Sequence, residues 1–289
     1  ENVGLPTLAC IRPAVQALQD LGMHRKVQLV ISGGVRNGAD VAKALALGAD
    51  AVSIGTAALV AALMLGVRRG FPETPMKPHN MTLTVAGAGM LWVGWFGFNG
   101  GSALAANGDA AMAIFVTHIS ASAGAFTWLA AEWIWFGKPS ALGAVTGMVA
   151  GLGTITPASG FVGPGGALVI GIVAGVVCFA ATNYLKRTLR IDDSLDVFPV
   201  HGVGGILGTL LTGVFASNAL GVFSGKLELD IVSQVGIQGV GVAVTLVYTA
   251  VVTGVILWVT NALVGNRVSD ENELEGLDIV SHNEQGYDL

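Results

Sequence analysis

The sequence predicts an all-α protein that crosses the bilayer several times and carries a short α/β segment at its N-terminus. Hydrophobic residues make up 53% of the 289 residues and charged residues only 11%, whereas soluble domains carry about 25% charged residues. Several apolar stretches reach the length of about 20 residues that a membrane-spanning helix needs. Between residues 80 and 185 only Asp109, Glu132 and Lys138 are charged. This composition excludes a disordered chain and an ordinary soluble domain.

The N-terminal segment, residues 1–56, has the charge density of a soluble protein. Its pattern of apolar residues and breakers predicts a helix, a strand, a second helix and a second strand. Asn37 is the expected N-cap and Gly48 the expected C-cap of the second helix. The four predicted elements are 5–22, 26–35, 37–48 and 49–59.

Two glycine-containing strings of this segment resemble the last two β/α units of an FMN-binding (β/α)8 barrel, with the FMN domain of glutamate synthase as the nearest match. Such barrels hold a phosphate at glycine-rich loops and helix N-termini. The resemblance implies Ser32, Gly33, Gly34, Gly55 and Thr56 as the FMN phosphate site. Because a complete barrel takes about 250 residues, we expect no tight FMN binding and no catalysis by this fragment.

The rest of the chain contains six apolar stretches that predict full membrane spans and a seventh, shorter one that predicts a partial span. Glycines at four-residue spacing, such as Gly143, Gly147 and Gly151, predict close packing between these helices, because small residues let helix backbones approach in lipid. The full spans are predicted at 82–104, 110–136, 140–157, 161–185, 197–217 and 231–265, and the partial one at 51–67.

Basic residues alternate between successive loops, as the positive-inside rule requires of a multi-pass protein. One set of loops and the tail hold eight lysines and arginines, and the other set holds only Lys226. The loop 68–79 and the acidic tail 266–289 are therefore predicted to be cytoplasmic, in a protein of the cell membrane. The basic residues of the first set are Arg68, Arg69, Lys77, Lys138, Lys186, Arg187, Arg190 and Arg267.

A few polar or aromatic side chains within the spans are candidates for function, since ionisable groups at membrane depth are costly. His201 lies near the start of the predicted span 197–217, where a neutral imidazole could line a pore or simply bond to a backbone carbonyl. For His118 a packing role is favoured. Phe98 and Ser102, four residues apart, share one helix face and could hold a small cation. Asp196 is the expected N-cap of the predicted span 197–217.

From about Ala57 to Tyr287 the chain resembles the ammonium transporter (Amt/Mep/Rh) family. The resemblance is carried by RRGFPETPMKPHNM, by GAGMLWVGWFGFNGGSALAANG, by the long string EWIWFGKPSALGAVTGMVAGLGTITPASGFVGPGGALVIGIVAGVV, by IDDSLDVFPVHGVGGILGTLLTGVFA and by the tail. It implies a helical bundle in which Phe98 is a gate, Ser102 a vestibule group, Thr156 a pore-lining residue and His201 one of two facing pore histidines.

The same resemblance implies that part of the family's pore is missing. Counting back from Gly66, the first pore histidine of the family falls on Ala51, and the buried aspartate of the family falls on Lys43. The family's first four spans are also expected to be absent. We therefore expect a truncated transporter region, residues 57–265, fused to the N-terminal fragment, and we expect this chain alone not to support ammonium uptake.

Two functions from different classes remain open at this point. The first is ammonium transport without a cofactor, in a homotrimer whose cytoplasmic tail, residues 266–289, is a possible contact for a PII-type regulator; both partners are implied by the resemblance. The second is an FMN-dependent glutamate synthase activity of the N-terminal segment. The net charge of −5 without a basic cluster gives no reason to expect nucleic acid. Cys10 and Cys178, far apart, indicate neither a disulfide framework nor a metal site.

Overall fold

The computed structural model describes residues 40–74, 76–216 and 230–285, with the side chains of 40–49 left out. Within these ranges the chain is helical and contains no strand. Two short π-helical turns, Tyr184–Thr188 and Phe198–Val203, follow α5 and precede α6. The α-helices are α1 (Asp40–Leu65), α2 (Met81–Gly101), α3 (Gly108–Phe136), α4 (Ala141–Ile155), α5 (Pro164–Asn183), α6 (Gly204–Phe215), α7 (Ile231–Leu263), α8 (Asp270–Glu275) and α9 (Leu277–His282).

Five helical segments in the described ranges are long and apolar enough to cross a membrane, and α1 and α4 contribute shorter apolar helices. The predicted spans at 82–104, 110–136, 161–185, 197–217 and 231–265 correspond to these five. The span predicted at 140–157 is shorter, because α4 ends at Ile155. The non-helical chain that follows, from 156 to 163, is almost entirely buried. Irregular backbone at membrane depth is tolerated where protein surrounds it.

Glycines allow α3, α4 and α5 to pack with their backbones in contact. A Cβ added to Gly151 would overlap the Ser120 carbonyl, and one added to Gly147 would lie 2.7 Å from the Gly124 oxygen. From α5, a Cβ on Gly171 would lie 2.5 Å from the same Ser120 oxygen, and one on Gly175 would lie 2.8 Å from the Gly124 oxygen. The close packing predicted from the glycine spacing is therefore confirmed. The paired positions show that α4 runs antiparallel to α3, while α5 runs parallel to it.

The π-helical turn Phe198–Val203 lies between α1 and α4. A Cβ on Gly55 of α1 would overlap the backbone of Gly202 in the turn. A Cβ on Gly208 of α6, which continues directly from the turn, would overlap the Thr154 carbonyl of α4. Proline at the second position of the turn has no N–H to leave unsatisfied. The turn and the start of α6 are therefore in close backbone contact with α1 and α4, and the turn places His201 between these helices.

The structure corrects the predicted secondary structure of residues 48–59. The segment 49–59 was expected to be a strand but lies inside the continuous helix α1, and Gly48 does not end a helix. The Thr56 hydroxyl donates to the Val52 carbonyl at 2.6 Å within the same helix. Because Gly55 and Thr56 face neighbouring protein, neither forms the phosphate loop that the flavin-barrel resemblance implied. Ser32, Gly33 and Gly34 lie outside the described residues. The predicted elements 5–22 and 26–35 lie outside them as well.

At the end of the bundle where α1 and α7 finish, arginines join loops that are distant in sequence. The Arg68 guanidinium donates to both carboxylate oxygens of Asp192, at 2.8 and 2.6 Å. Burial by itself would raise the pKa of Asp192, but the hydrogen bonds and charge of Arg68 outweigh it and hold that pKa below its usual value. Arg267 binds Glu273 in the same bidentate manner and also donates to the Leu65 carbonyl. The tail is thereby attached to the end of α1.

Candidate functional site

Trp95 on α2 is the centre of a cluster that collects three of the predicted site residues. Its indole stacks on His201 with ring centroids 6.3 Å apart and planes 11° from parallel. The ring of Phe98 approaches it edge-on at 6.1 Å. The indole N–H donates to the Thr156 hydroxyl at 2.7 Å. Phe98, Thr156 and His201 come from three separate elements, so Trp95 holds them at one place in the bundle.

The orientation of α2 is fixed by a buried polar contact. Asn99 is 2% exposed, and its amide donates to the Thr117 hydroxyl of α3 at 2.8 Å. The Thr117 hydroxyl in turn donates to the Ala113 carbonyl at 2.6 Å. Because buried polar groups are costly without partners, this bond sets the rotation of α2 about its axis. The adjacent Phe98 is about 100° further round the helix, and it is 47% exposed.

Ser102 ends α2, and its hydroxyl donates to the Phe98 carbonyl at 2.7 Å. The donor is therefore occupied within the helix, and the oxygen lone pairs are left to accept hydrogen bonds. The Thr156 hydroxyl makes two hydrogen bonds: it donates to the Leu152 carbonyl at 2.7 Å and accepts the Trp95 N–H. Thr156 thus anchors Trp95, while Ser102, four residues after Phe98, keeps free acceptor capacity.

His201 lies in the π-helical turn and is partly buried. Its Nδ1 is 3.9 Å from the position that a Cβ on Gly153 would take, so the glycine leaves room for the imidazole at α4. π-helical turns often occur at functional sites, because they change the direction of a side chain. Apart from the Trp95 indole, no hydrogen-bond or ring partner of the His201 imidazole is found in the part of the chain that the structure describes.

No imidazole faces His201 from α1. Ala51, the position at which the family resemblance implied a first pore histidine, is 8% exposed and lies against Gly205. A Cβ on Gly205 would be 2.8 Å from the Ala51 methyl group. Lys43, the position implied for the buried aspartate, is in α1, but its side chain is not among those described.

Two other predicted polar residues lie outside the cluster. His118 stacks on Trp92 with ring centroids 5.2 Å apart and is exposed. Asp196 was expected to cap the span 197–217, but its side chain does not do so. Its carboxylate instead pairs with Lys186 at 2.7 Å. Asp193 performs the capping, since its carboxylate accepts the Phe198 N–H at 2.6 Å.

Trp95 is a residue of the candidate site that the sequence analysis did not single out. Its spacing gave a usable signal: Trp95 is three residues before Phe98 and therefore shares a helix face with it. Within the described ranges there is no group of three or more histidine, cysteine or acidic side chains that could hold a metal ion. The arrangement instead offers aromatic faces, hydroxyl oxygens and one imidazole, groups suited to a small cation or amine.

A family profile decides the identity of the bundle. The profile described as the Ammonium Transporter Family matches residues 20–287. The chain belongs to the ammonium transporter family. The match begins inside the segment 1–56 that was predicted to be a flavin-barrel fragment. Nothing in these comparisons shows a glutamate synthase relationship.

Curated relatives agree with the family profile. The chain is 45% identical over 239 residues to "Ammonium transporter Amt1" of Archaeoglobus fulgidus, covering 82% of this chain and 60% of that protein. It is 47% identical over 238 residues to "Ammonium transporter" of Aquifex aeolicus, covering 82% of this chain and 55% of that protein. The chain thus spans little more than half the length of these relatives. They are named as transporters, in agreement with the expectation that the chain is not an enzyme.

Solved structures of family members share the fold of this bundle. A protein titled "Sensor Amt Protein" superposes with a TM-score of 0.75 at 30% identity, over 84% of this chain and 60% of that one. Mep2 of Saccharomyces cerevisiae superposes with a TM-score of 0.70 at 38% identity, over 76% of this chain and 51% of that one. Together with the apolar helices, these relationships identify this ammonium transporter family member as a multi-pass membrane protein.

Proposed function

We propose that this chain takes part in ammonium transport and that the Trp95 cluster is where ammonium is recognised. The observation that carries the proposal is the meeting of Phe98, Thr156 and His201 around one indole. These residues are the gate, the wall and the histidine that the family resemblance implied. Their spatial convergence comes from contacts between three different elements, which the resemblance in sequence alone does not require.

The groups of the cluster suit an ammonium ion. The faces of aromatic rings attract cations, and Phe98 presents an exposed ring beside the free lone pairs of Ser102. An ion held there loses hydration but gains these contacts and a hydrogen bond to the hydroxyl oxygen. A sodium or potassium ion makes no directional N–H bond, so ammonium is favoured over both.

His201 is placed to receive the proton or the ammonia that ammonium releases beside Phe98 and Ser102. A neutral imidazole has one nitrogen that accepts a hydrogen bond and one that donates. It can therefore accept the proton that ammonium loses or hold the ammonia that remains. The Trp95 indole, which is stacked on His201, shields the imidazole on one face and keeps its ring plane fixed. Because Ala51 offers no partner imidazole, the histidine acts alone in the described bundle.

The assembly and the regulation of the chain are proposed from the family resemblance. We propose a homotrimer, a cytoplasmic location for loop 68–79 and for the tail 266–289, and a PII-type regulator as partner of the tail. The contact of Arg267 with Glu273 and with the Leu65 carbonyl supports a common side for the tail and the loop after α1. The eight basic residues of the alternate loops support the cytoplasmic assignment of that side.

A binding experiment tests the proposal. Purified protein in lipid nanodiscs is titrated with isotopically labelled ammonium, and the NMR line width of the ammonium signal is followed. We expect broadening that unlabelled methylammonium reverses and sodium does not. Phe98→Ala should reduce the broadening several-fold, by loss of a cation–π contact of about 1 kcal/mol. Phe126→Ala is the matched control, since Phe126 is 74% exposed and lies outside the cluster. Equal broadening in both variants would refute the proposed site.

The alternative function, an FMN-dependent oxidoreductase, is not proposed. Gly55 packs against Gly202, and Thr56 is bonded within α1, so both are committed to the helical bundle. The remaining implied FMN residues lie outside the described residues.

A further inference from the structure

A cavity of about 390 Å³ lies between the loop after α1 and the end of α5, at the same end of the bundle as the tail. Cavities of this size hold small ligands. No carboxylate is among its lining side chains. Four of these side chains are basic and two carry a hydroxyl group, namely Arg68, Lys186, Arg187, Arg190, Thr74 and Ser194.

Two of the four positive charges are not compensated. Arg68 is paired with Asp192, and Lys186 with Asp196. In contrast, among residues 40–74, 76–216 and 230–285 no carboxylate lies within 4.0 Å of the guanidinium groups of Arg187 and Arg190. The paired residues still have N–H groups to offer, since Arg68 uses only Nε and Nη2 for Asp192. The cavity therefore presents a local charge of about +2 and several unused donors.

The rim of the cavity is at the depth of the membrane interface. The Arg187 guanidinium lies over the Phe136 ring, 4.6 Å from its centroid. Phe136 ends α3, and the neighbouring Trp133 and Trp135 are 67% and 76% exposed. Exposed tryptophans at the end of a spanning helix mark the level of lipid headgroups. Arg187 is therefore within reach of lipid phosphates.

The backbone of Arg190 has a left-handed conformation, with φ of 53°. This conformation is unfavourable for residues with a Cβ. It directs the chain out of the π-helical turn Tyr184–Thr188 and places Arg190 at the cavity opposite the loop after α1. Local strain of this kind is found at ligand-binding sites, where its cost is offset by binding.

We propose that this cavity binds a phosphomonoester, supplied either by an anionic lipid headgroup or by a soluble phosphate compound. A phosphomonoester carries a charge of about −1.5 to −2 at neutral pH, which matches the two uncompensated guanidinium groups. Arginine forks bind phosphate oxygens in a bidentate geometry, and hydroxyl groups of Thr74 and Ser194 can complete the shell. The proposal is independent of whether the chain recognises ammonium, because it concerns other residues and another ligand.

Native mass spectrometry of the protein with phosphatidate in phosphatidylcholine nanodiscs tests this site. The double variant Arg187→Gln/Arg190→Gln should lower the affinity for phosphatidate about tenfold for each guanidinium removed. Arg187→Lys/Arg190→Lys, which keeps the charge but loses the fork, should give an intermediate affinity. The matched control is Lys138→Gln, which removes one charge from a loop of the same set outside the cavity.

Competition identifies the source of the phosphate. Displacement of phosphatidate by glycerol phosphate or inorganic phosphate at comparable concentration would indicate a soluble ligand at this site. Persistence of phosphatidate in their presence would indicate the lipid headgroup. Circular dichroism checks that the double variants keep their helical content. If the double glutamine variant binds phosphatidate as tightly as Lys138→Gln does, the cavity is not a phosphate site and the proposal is wrong.

Discussion

Replacing Gly151 by alanine tests the packing that positions the whole site. The new methyl group would lie 2.9 Å from Ala121 Cα and 2.9 Å from the Ser120 carbonyl carbon, and it would overlap the Ser120 oxygen. These are backbone atoms of α3, so no side chain can rotate away. The two helices must separate, which also weakens the hydrogen bond of 2.9 Å from the Ser120 hydroxyl to the Gly151 carbonyl.

The magnitude follows from three contributions. Overpacking of a tight contact costs about 1–3 kcal/mol, and the weakened hydrogen bond adds about 0.5–1 kcal/mol. The higher helix propensity of alanine returns up to about 1 kcal/mol. We therefore expect Gly151→Ala to lower the free energy of unfolding by about 2 kcal/mol, or roughly 30-fold in the unfolding equilibrium.

Gly97→Ala is the control, because a Cβ on Gly97 meets nothing within 4 Å. It makes the same substitution on an open face of α2, so it should leave stability unchanged or raise it slightly. The assay is equilibrium unfolding in mixed micelles with rising dodecyl sulfate, followed by circular dichroism. Unfolding of both variants at the same dodecyl sulfate fraction would show that the α3–α4 contact is looser than the structure indicates.

Two further predictions concern the loop contact and the pore. Asp192→Asn should destabilise the protein by about 2 kcal/mol in the same unfolding assay, since it removes the charge that binds Arg68. In the unsubstituted protein the pKa of Asp192 is lower when folded, so its contribution is complete above the ordinary carboxyl pKa of about 3.9. That contribution is lost as the pH falls through the folded value; an Asp192→Asn effect that is as large at pH 2 as at pH 7 would contradict this. Cells that lack ammonium transport should not be rescued by this chain on low ammonium at low pH, because Ala51 leaves His201 without a partner imidazole. Growth that is abolished by His201→Ala would overturn that expectation.

The membrane spans could be predicted from the sequence, because the length of an apolar stretch is a local signal. The family strings pointed to Phe98, Thr156 and His201, which the structure brings together around Trp95. The rest depended on tertiary contacts. Residues 49–59 alternate enough to suggest a strand, but Gly55 and Ala51 pack against Gly202 and Gly205, which favours a continuous helix. Trp95 was not predicted, because its contacts are with Thr156 and His201, which are distant in sequence. Asp196 was taken for a cap because the turn that brings Asp193 to the Phe198 N–H is not apparent in the sequence.

The most direct test of the central claim is the NMR response of the His201 imidazole to ammonium. The imidazole nitrogens are labelled, and the His201 signals are assigned by their loss in His201→Gln. Because the claim places ammonium beside Trp95, on which His201 is stacked at 6.3 Å, we predict that these signals shift as ammonium is added and do not shift with sodium. The signals of the exposed His118 and His282 should stay in place. Unchanged His201 signals at saturating ammonium would contradict the claim. Shifts of the His118 and His282 signals as large as those of His201 would also contradict it.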